Sequence, residues 1–151
     1  MRIALVHPGE MGAAIGAALR AGGHDVLWAS EGRSPATAER ARAAGLHDVG
    51  RFERLRDADA VVSVCPPHAA LDVARACVGF DGIYVDANAV SPQRAQEVAA
   101  LQPRFVDGGI VGGPRARLGA PSRRRPDHLP ADTRAHRRPH LARMEQPDDH
   151  L

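Results

Sequence analysis

The chain has 151 residues, 44% of them hydrophobic, which is enough for one core of ordinary size and excludes disorder throughout. All 20 basic side chains are arginine, so any chemistry that needs a lysine ammonium is excluded. The formal charge of +2 hides a division: residues 1–113 carry 11 Arg against 13 acids, a net of −2, and residues 114–151 carry 9 Arg against 5, a net of +4.

Ile3-Ala4-Leu5-Val6 is a continuous apolar run that stops at His7-Pro8, the pattern of a strand covered on both faces in a parallel sheet. A proline-free stretch rich in Ala, Met, Ile and Leu from Glu10 to about Arg20 predicts a helix, with Gly22-Gly23 as its stop. Val26–Ala29 reads as a second strand, and Ser34-Pro35 opens a second helix that closes near Gly45. Weak strand character at Leu46–Val49 and a short helix near Phe52–Arg56 lead to Ala60–Val64, a strong strand signal ended by Pro66-Pro67. A helix over His68–Cys77, a strand at Ile83–Val85, a helix over Ser91–Leu101 and a strand at Phe105-Val106 follow. This alternation demands parallel strands joined by helical crossovers, and the right-handed rule leaves an α/β, doubly wound parallel sheet.

The first strand-to-helix turn, His7-Pro8-Gly9-Glu10-Met11-Gly12, matches the second and third glycines of GxGxxG and lacks the first. A missing side chain at Gly9 lets the backbone approach a pyrophosphate, and the free N–H groups opening the helix attract its charge. Gly12 allows the helix to pack close to the sheet. A dinucleotide is therefore expected here; the alternative is that the glycines only shape a tight turn. Histidine does not adopt positive φ cheaply, so this turn is expected to be built without it, and Glu10 places a carboxylate near the phosphates. At the end of the second strand, Ser30-Glu31-Gly32-Arg33-Ser34 lacks a terminal acid. Arg33 with the hydroxyls of Ser30 and Ser34 suits a 2′-phosphate, which favours NADP over NAD, while Glu31 argues the other way.

Five stations together extend the pattern: Gly9-Glu10-Met11-Gly12, Gly23-His24, Asp57–Val62, Asp86-Ala87-Asn88-Ala89-Val90-Ser91-Pro92 and Val106–Gly113. On these residues the chain resembles the NAD(P)-binding domain of the β-hydroxyacid dehydrogenase family, which includes 6-phosphogluconate and 3-hydroxyisobutyrate dehydrogenases and imine reductases. The resemblance covers residues 1 to about 114. It implies a Rossmann-type domain with the Cys65-Pro66 segment along the cofactor and Asn88 near the nicotinamide. It also implies substrate contact at Val111, Gly112 and Gly113, where Val111 stands in place of a serine and points to the imine-reductase side or an uncharacterised branch. The family's catalytic lysine and helical second domain have no counterpart in this sequence. The resemblance thus implies a truncated cofactor half with no catalytic residue of its own, its substrate a small molecule bound only by an intact relative. An uncovered apolar surface would then favour self-association.

Residues 114–151 hold six Pro and four His but no Val, Ile, Phe, Tyr or Trp, a composition that cannot pack a core. A disordered Arg/Pro/His-rich tail is expected. Arg123–Arg125 and Arg137-Arg138 would suit nucleic-acid phosphates, yet no aromatic accompanies them. His128, His136, His140 and His150 are set aside as metal ligands because Arg137-Arg138-Pro139 repels a cation and breaks a helix. An out-of-frame product of a GC-rich gene is the preferred reading. Cys65 and Cys77 make no disulfide framework, and no stretch approaches the roughly 18 apolar residues of a membrane span, so a soluble cytoplasmic protein is predicted. The reading that results is an NAD(P)-binding domain of an oxidoreductase. The alternatives are a non-catalytic nucleotide-sensing or interaction module and an Arg-rich nucleic-acid binder.

Overall fold

The computed structural model describes residues 1–113. The tail expected from residue 114, with its three readings, lies outside the described residues. Six strands alternate with helices: β1 (Arg2–Val6), α1 (Glu10–Ala21), β2 (Asp25–Trp28), α2 (Pro35–Ala43), β3 (His47–Asp48), β4 (Ala60–Ser63), α3 (Ala70–Ala76), β5 (Ile83–Asp86), α4 (Pro92–Ala99) and β6 (Phe105–Asp107). The short helix expected near Phe52–Arg56 is a 3₁₀ helix at Phe52–Asp57, and another at Pro67–Ala69 leads into α3.

All pairings are parallel, in the order β3-β2-β1-β4-β5-β6. This is a Rossmann-type doubly wound sheet. Side chains alternate between its faces as the strand period requires. Leu5, Val26 and Trp28 pack with Ala41 of α2 and with Met11, Ile15 and Leu19 of α1. Ala4, Val6, Leu27, Val61 and Tyr84 pack on the opposite face with Val73 and Ala74 of α3 and Val98 of α4. Each fully buried Leu or Val contributes about 1.5–3 kcal/mol, which explains why these strands read as near-continuous apolar runs.

The chain winds one way from β1 towards β3 and the other way from β4 towards β6. Connections leaving the carboxyl ends of β1 and β4 therefore diverge, opening a crevice at the switch point. Val6, Ser63, Asp86 and Asp107 lie side by side in register across β1, β4, β5 and β6. This row marks the carboxyl edge of the sheet, and the loops just beyond it border the crevice.

The first turn departs from expectation. His7 itself takes the left-handed conformation, with φ of 66°, and is the one non-glycine residue to do so among those described. The buried strand before it and the helix docked after it fix the chain's direction, and packing of the half-buried ring offsets a backbone cost of about 1 kcal/mol. Histidine is also among the residues that tolerate this region better than most. The turn closes with the Gly9 N–H donating to the His7 carbonyl at 2.8 Å, and α1 begins with the Ala13 N–H on the Gly9 carbonyl.

Candidate functional site

A cavity of about 560 Å³ occupies the crevice, within the usual range for small-molecule sites. Its floor and near wall come from the first turn: His7, Gly9, Glu10, Met11 and Gly12. Arg33 and Thr37 stand on the β2 side. The segment after β4 supplies Val64, Cys65, Pro66 and Pro67, and the segment after β5 supplies Ala87, Asn88 and Ala89. Gly109 and Ile110, just past β6, complete the rim.

The two glycines of the turn play different parts. A β-carbon at Gly12 would overlap the His7 carbonyl oxygen, so α1 sits against the end of β1 only because that atom is absent. A β-carbon at Gly9 would meet no protein atom within 4 Å. The Gly9 backbone, with φ −68° and ψ −165°, is extended and open to any residue. The fold therefore needs Gly12 and makes no demand for glycine at position 9. Helix α1 also has no side-chain cap, whereas Ser34 caps α2 through the Thr37 N–H and Ser91 caps α4 through the Arg94 N–H, each at 3.3 Å. The first-turn amides of α1 thus open towards the cavity with the positive end of the helix dipole behind them.

The five residues that follow β2 separate. Arg33 lines the cavity. Ser34 is spent as the α2 cap, and the Ser30 N–H is taken by the Asp48 carboxylate at 3.1 Å; neither residue lines the cavity. Glu31 accepts from the Phe52 N–H at 3.4 Å, away from the lining. Thr37, in the first turn of α2, also lines the cavity; its only signal in the sequence is its spacing from Ser34 at the same helix end. Val111, Gly112 and Gly113 stand off the lining, with Val111 fully exposed, and Gly109 and Ile110 hold the wall instead.

Three buried polar atoms have no partner among the described residues: His7 Nδ1, Tyr84 Oη and Asp86 Oδ2. Burial, reinforced by the Arg33 cation, pulls the His7 imidazole down from 6.5 to about 4. An unfolded histidine would take up a proton near 6.5 while the folded one stays neutral, so stability falls as pH drops from about 6.5 towards 4. Asp86 works with the opposite sign. Burial pushes its carboxyl up, the folded state binds the proton more readily, and stability recovers as that proton is taken up. Urea unfolding of the wild type and His7→Asn, which tolerates the same backbone, separates the two. Between pH 7 and pH 5 the wild type should lose roughly 1–2 kcal/mol more than the variant, after allowance for partial exposure of the ring. Equal losses would show that His7 is not held neutral. Burial likewise pushes the Cys65 thiol up, so this wall of the cavity presents a protonated thiol.

A conserved protein of unknown function, described as structurally similar to 3-hydroxyacid dehydrogenases, aligns at 33% identity with a TM-score of 0.65, over 71% of this chain and 42% of its own. The likeness is to 3-hydroxyacid dehydrogenase-like proteins and imine reductases. An imine reductase from Myxococcus stipitatus, solved with NAD+, aligns at 22% identity and a TM-score of 0.56, over 75% of this chain and 41% of its own. One from Streptomyces aurantiacus aligns at 21% and 0.59, over 76% and 42%. The two reductases share the fold. The chain spans about two fifths of the length of these relatives. No family model and no curated protein matches it. No helix among the described residues is long and apolar enough to cross a membrane, and no cluster of His, Cys, Asp and Glu among them could hold a metal ion.

Proposed function

We propose that residues 1–113 hold a nicotinamide dinucleotide, as the cofactor-binding part of an oxidoreductase. The observation that carries this reading is the contrast between Gly9 and Gly12. Gly12 answers a steric demand of the fold, whereas the space in front of Gly9 is empty of protein and bordered by uncapped helix amides. A pyrophosphate laid on the N–H groups of Glu10, Met11 and Gly12 explains that space. Solution of a fold relative with NAD+ supports the ligand class.

The bound dinucleotide would supply hydride from its nicotinamide ring. The protein's own part is to bind, orient and exclude water. Met11, Val64, Pro66, Pro67 and Ile110 give an apolar lining, with the nicotinamide end assigned to the Cys65-Pro66 and Asn88 side. Arg33 and Thr37 are assigned to a 2′-phosphate, and NADP is favoured over NAD because the Glu31 carboxylate, which would repel that phosphate, is engaged with Phe52. Arg33→Ala should weaken NADPH binding about tenfold and leave NADH nearly unchanged, since a charge-assisted hydrogen bond is lost only with the phosphorylated cofactor. Fluorescence titration with each cofactor measures this, and equal loss for both would remove Arg33 from the 2′-phosphate site.

The reading as a whole is tested by titrating the full chain with NADPH, NADH and duplex DNA at two salt concentrations. Saturable nucleotide binding is expected. Tight DNA binding that falls steeply with salt, without nucleotide binding, would replace it with a nucleic-acid binder.

A further inference from the structure

Asn88 lines the cavity, yet the donors of its side chain are engaged within the protein. It is 6% exposed. Its Oδ1 accepts the Cys65 N–H at 2.6 Å, and its Nδ2 donates to Ser63 Oγ at 3.1 Å and to Asp86 Oδ1. Asp86 Oδ1 also receives the Asn88 backbone N–H at 3.1 Å. A carboxamide has two N–H donors, and both are taken, so none is left for a ligand.

Pro66 and Pro67 have no N–H, so Cys65 supplies the last backbone donor of the cavity wall before His68. The Val64 N–H is already on the Val6 carbonyl at 3.3 Å. Asn88 therefore takes the final backbone donor that can hold Cys65-Pro66-Pro67 against the end of β5, beside a Ser63 Oγ–Cys65 Sγ contact at 3.8 Å. We propose that Asn88 is a positioning residue: oriented by Ser63 and Asp86, it sets the place of the Cys65–Pro67 wall through the Cys65 amide. The assignment of that wall to the nicotinamide end rests on the function proposed above.

Two readouts test this on the full chain. The first needs no cofactor. Asn88→Ala should speed labelling of the half-buried Cys65 by a small maleimide about tenfold, the order expected for loss of one hydrogen bond, while buried Cys77 reacts as in the wild type. The second compares NADPH with adenosine 2′,5′-bisphosphate, which lacks the nicotinamide end. Asn88→Ala should weaken NADPH about tenfold and leave the bisphosphate within about twofold. Ser63→Ala, whose side chain does not line the cavity but whose hydroxyl also lies 3.8 Å from the Cys65 thiol, is read on the nucleotides alone: it should weaken NADPH about threefold and spare the bisphosphate, and it carries the test if the first variant does not fold. Unchanged labelling of Cys65, or equal loss of both nucleotides, overturns the proposal. Faster Cys65 labelling in a protein whose wild type binds neither nucleotide upholds the tie and overturns the cofactor reading.

Discussion

Gly9→Asp should stabilise the fold while destroying nucleotide binding. Aspartate is among the best residues at a helix N-cap, and glycine there leaves α1 without a side-chain cap. The extended backbone at position 9 accepts any side chain, and no protein atom lies within 4 Å of a new β-carbon. The carboxylate can therefore accept from the first-turn N–H groups and sit at the positive end of the helix dipole, for a gain of up to about 1 kcal/mol in urea unfolding. Those same amides are the ones assigned to the pyrophosphate. Filled by an anion of the protein, they should cost NADPH at least about 100-fold in affinity, a loss of about 2.7 kcal/mol. Opposite signs for stability and binding are the signature sought. If NADPH affinity were unchanged, the cavity at the first turn would not be the phosphate site.

Gly12→Ala should act in the reverse sense, on the fold first. Alanine is the better helix former by about 1 kcal/mol, so the exchange would stabilise an isolated helix. Here the added methyl meets the His7 carbonyl, with Val64 on its other side. Either α1 moves away from β1 or the turn at His7 distorts, and overpacking of this kind costs typically 1–3 kcal/mol. With the helix gain set against it, a net loss of about 1–2 kcal/mol in urea unfolding is expected, the backbone clash placing the cost in the upper part of that range. NADPH binding should weaken as well, because displacement of α1 carries its amides out of position. A variant as stable as the wild type would mean that α1 docks more loosely than the close approach of Gly12 to His7 requires.

These two glycines also show how far a sequence can be read. Spacing alone marked both, and their context between a strand and a helix named the chemistry, yet nothing local distinguished a glycine needed by the fold from one left free for a ligand. His7 shows the opposite error. Its local preference argued against positive φ, and the packing of β1 and α1 overrode it. At the end of β2 the composition Ser-Glu-Gly-Arg-Ser was legible as a polar loop, but not that Glu31 would turn to Phe52, Ser34 to its own helix, and Arg33 alone to the cavity. Past β6 the glycine-rich stretch was visible, while the register that brings Gly109 and Ile110 to the rim and leaves Val111 exposed was not.

By itself the sequence determined the alternation of buried strands and helices, the parallel sheet that follows from it, and the turn that opens α1. Those properties rest on short-range periodicity, which a chain cannot hide. Only the tertiary structure decided the strand order that brings the ends of β1, β4 and β5 into one crevice. Only it tied Asn88 to Cys65 and Ser63, 23 and 25 residues away. Such contacts depend on where distant segments come to rest, and the free energy that places them is summed over the whole core rather than written at any one position.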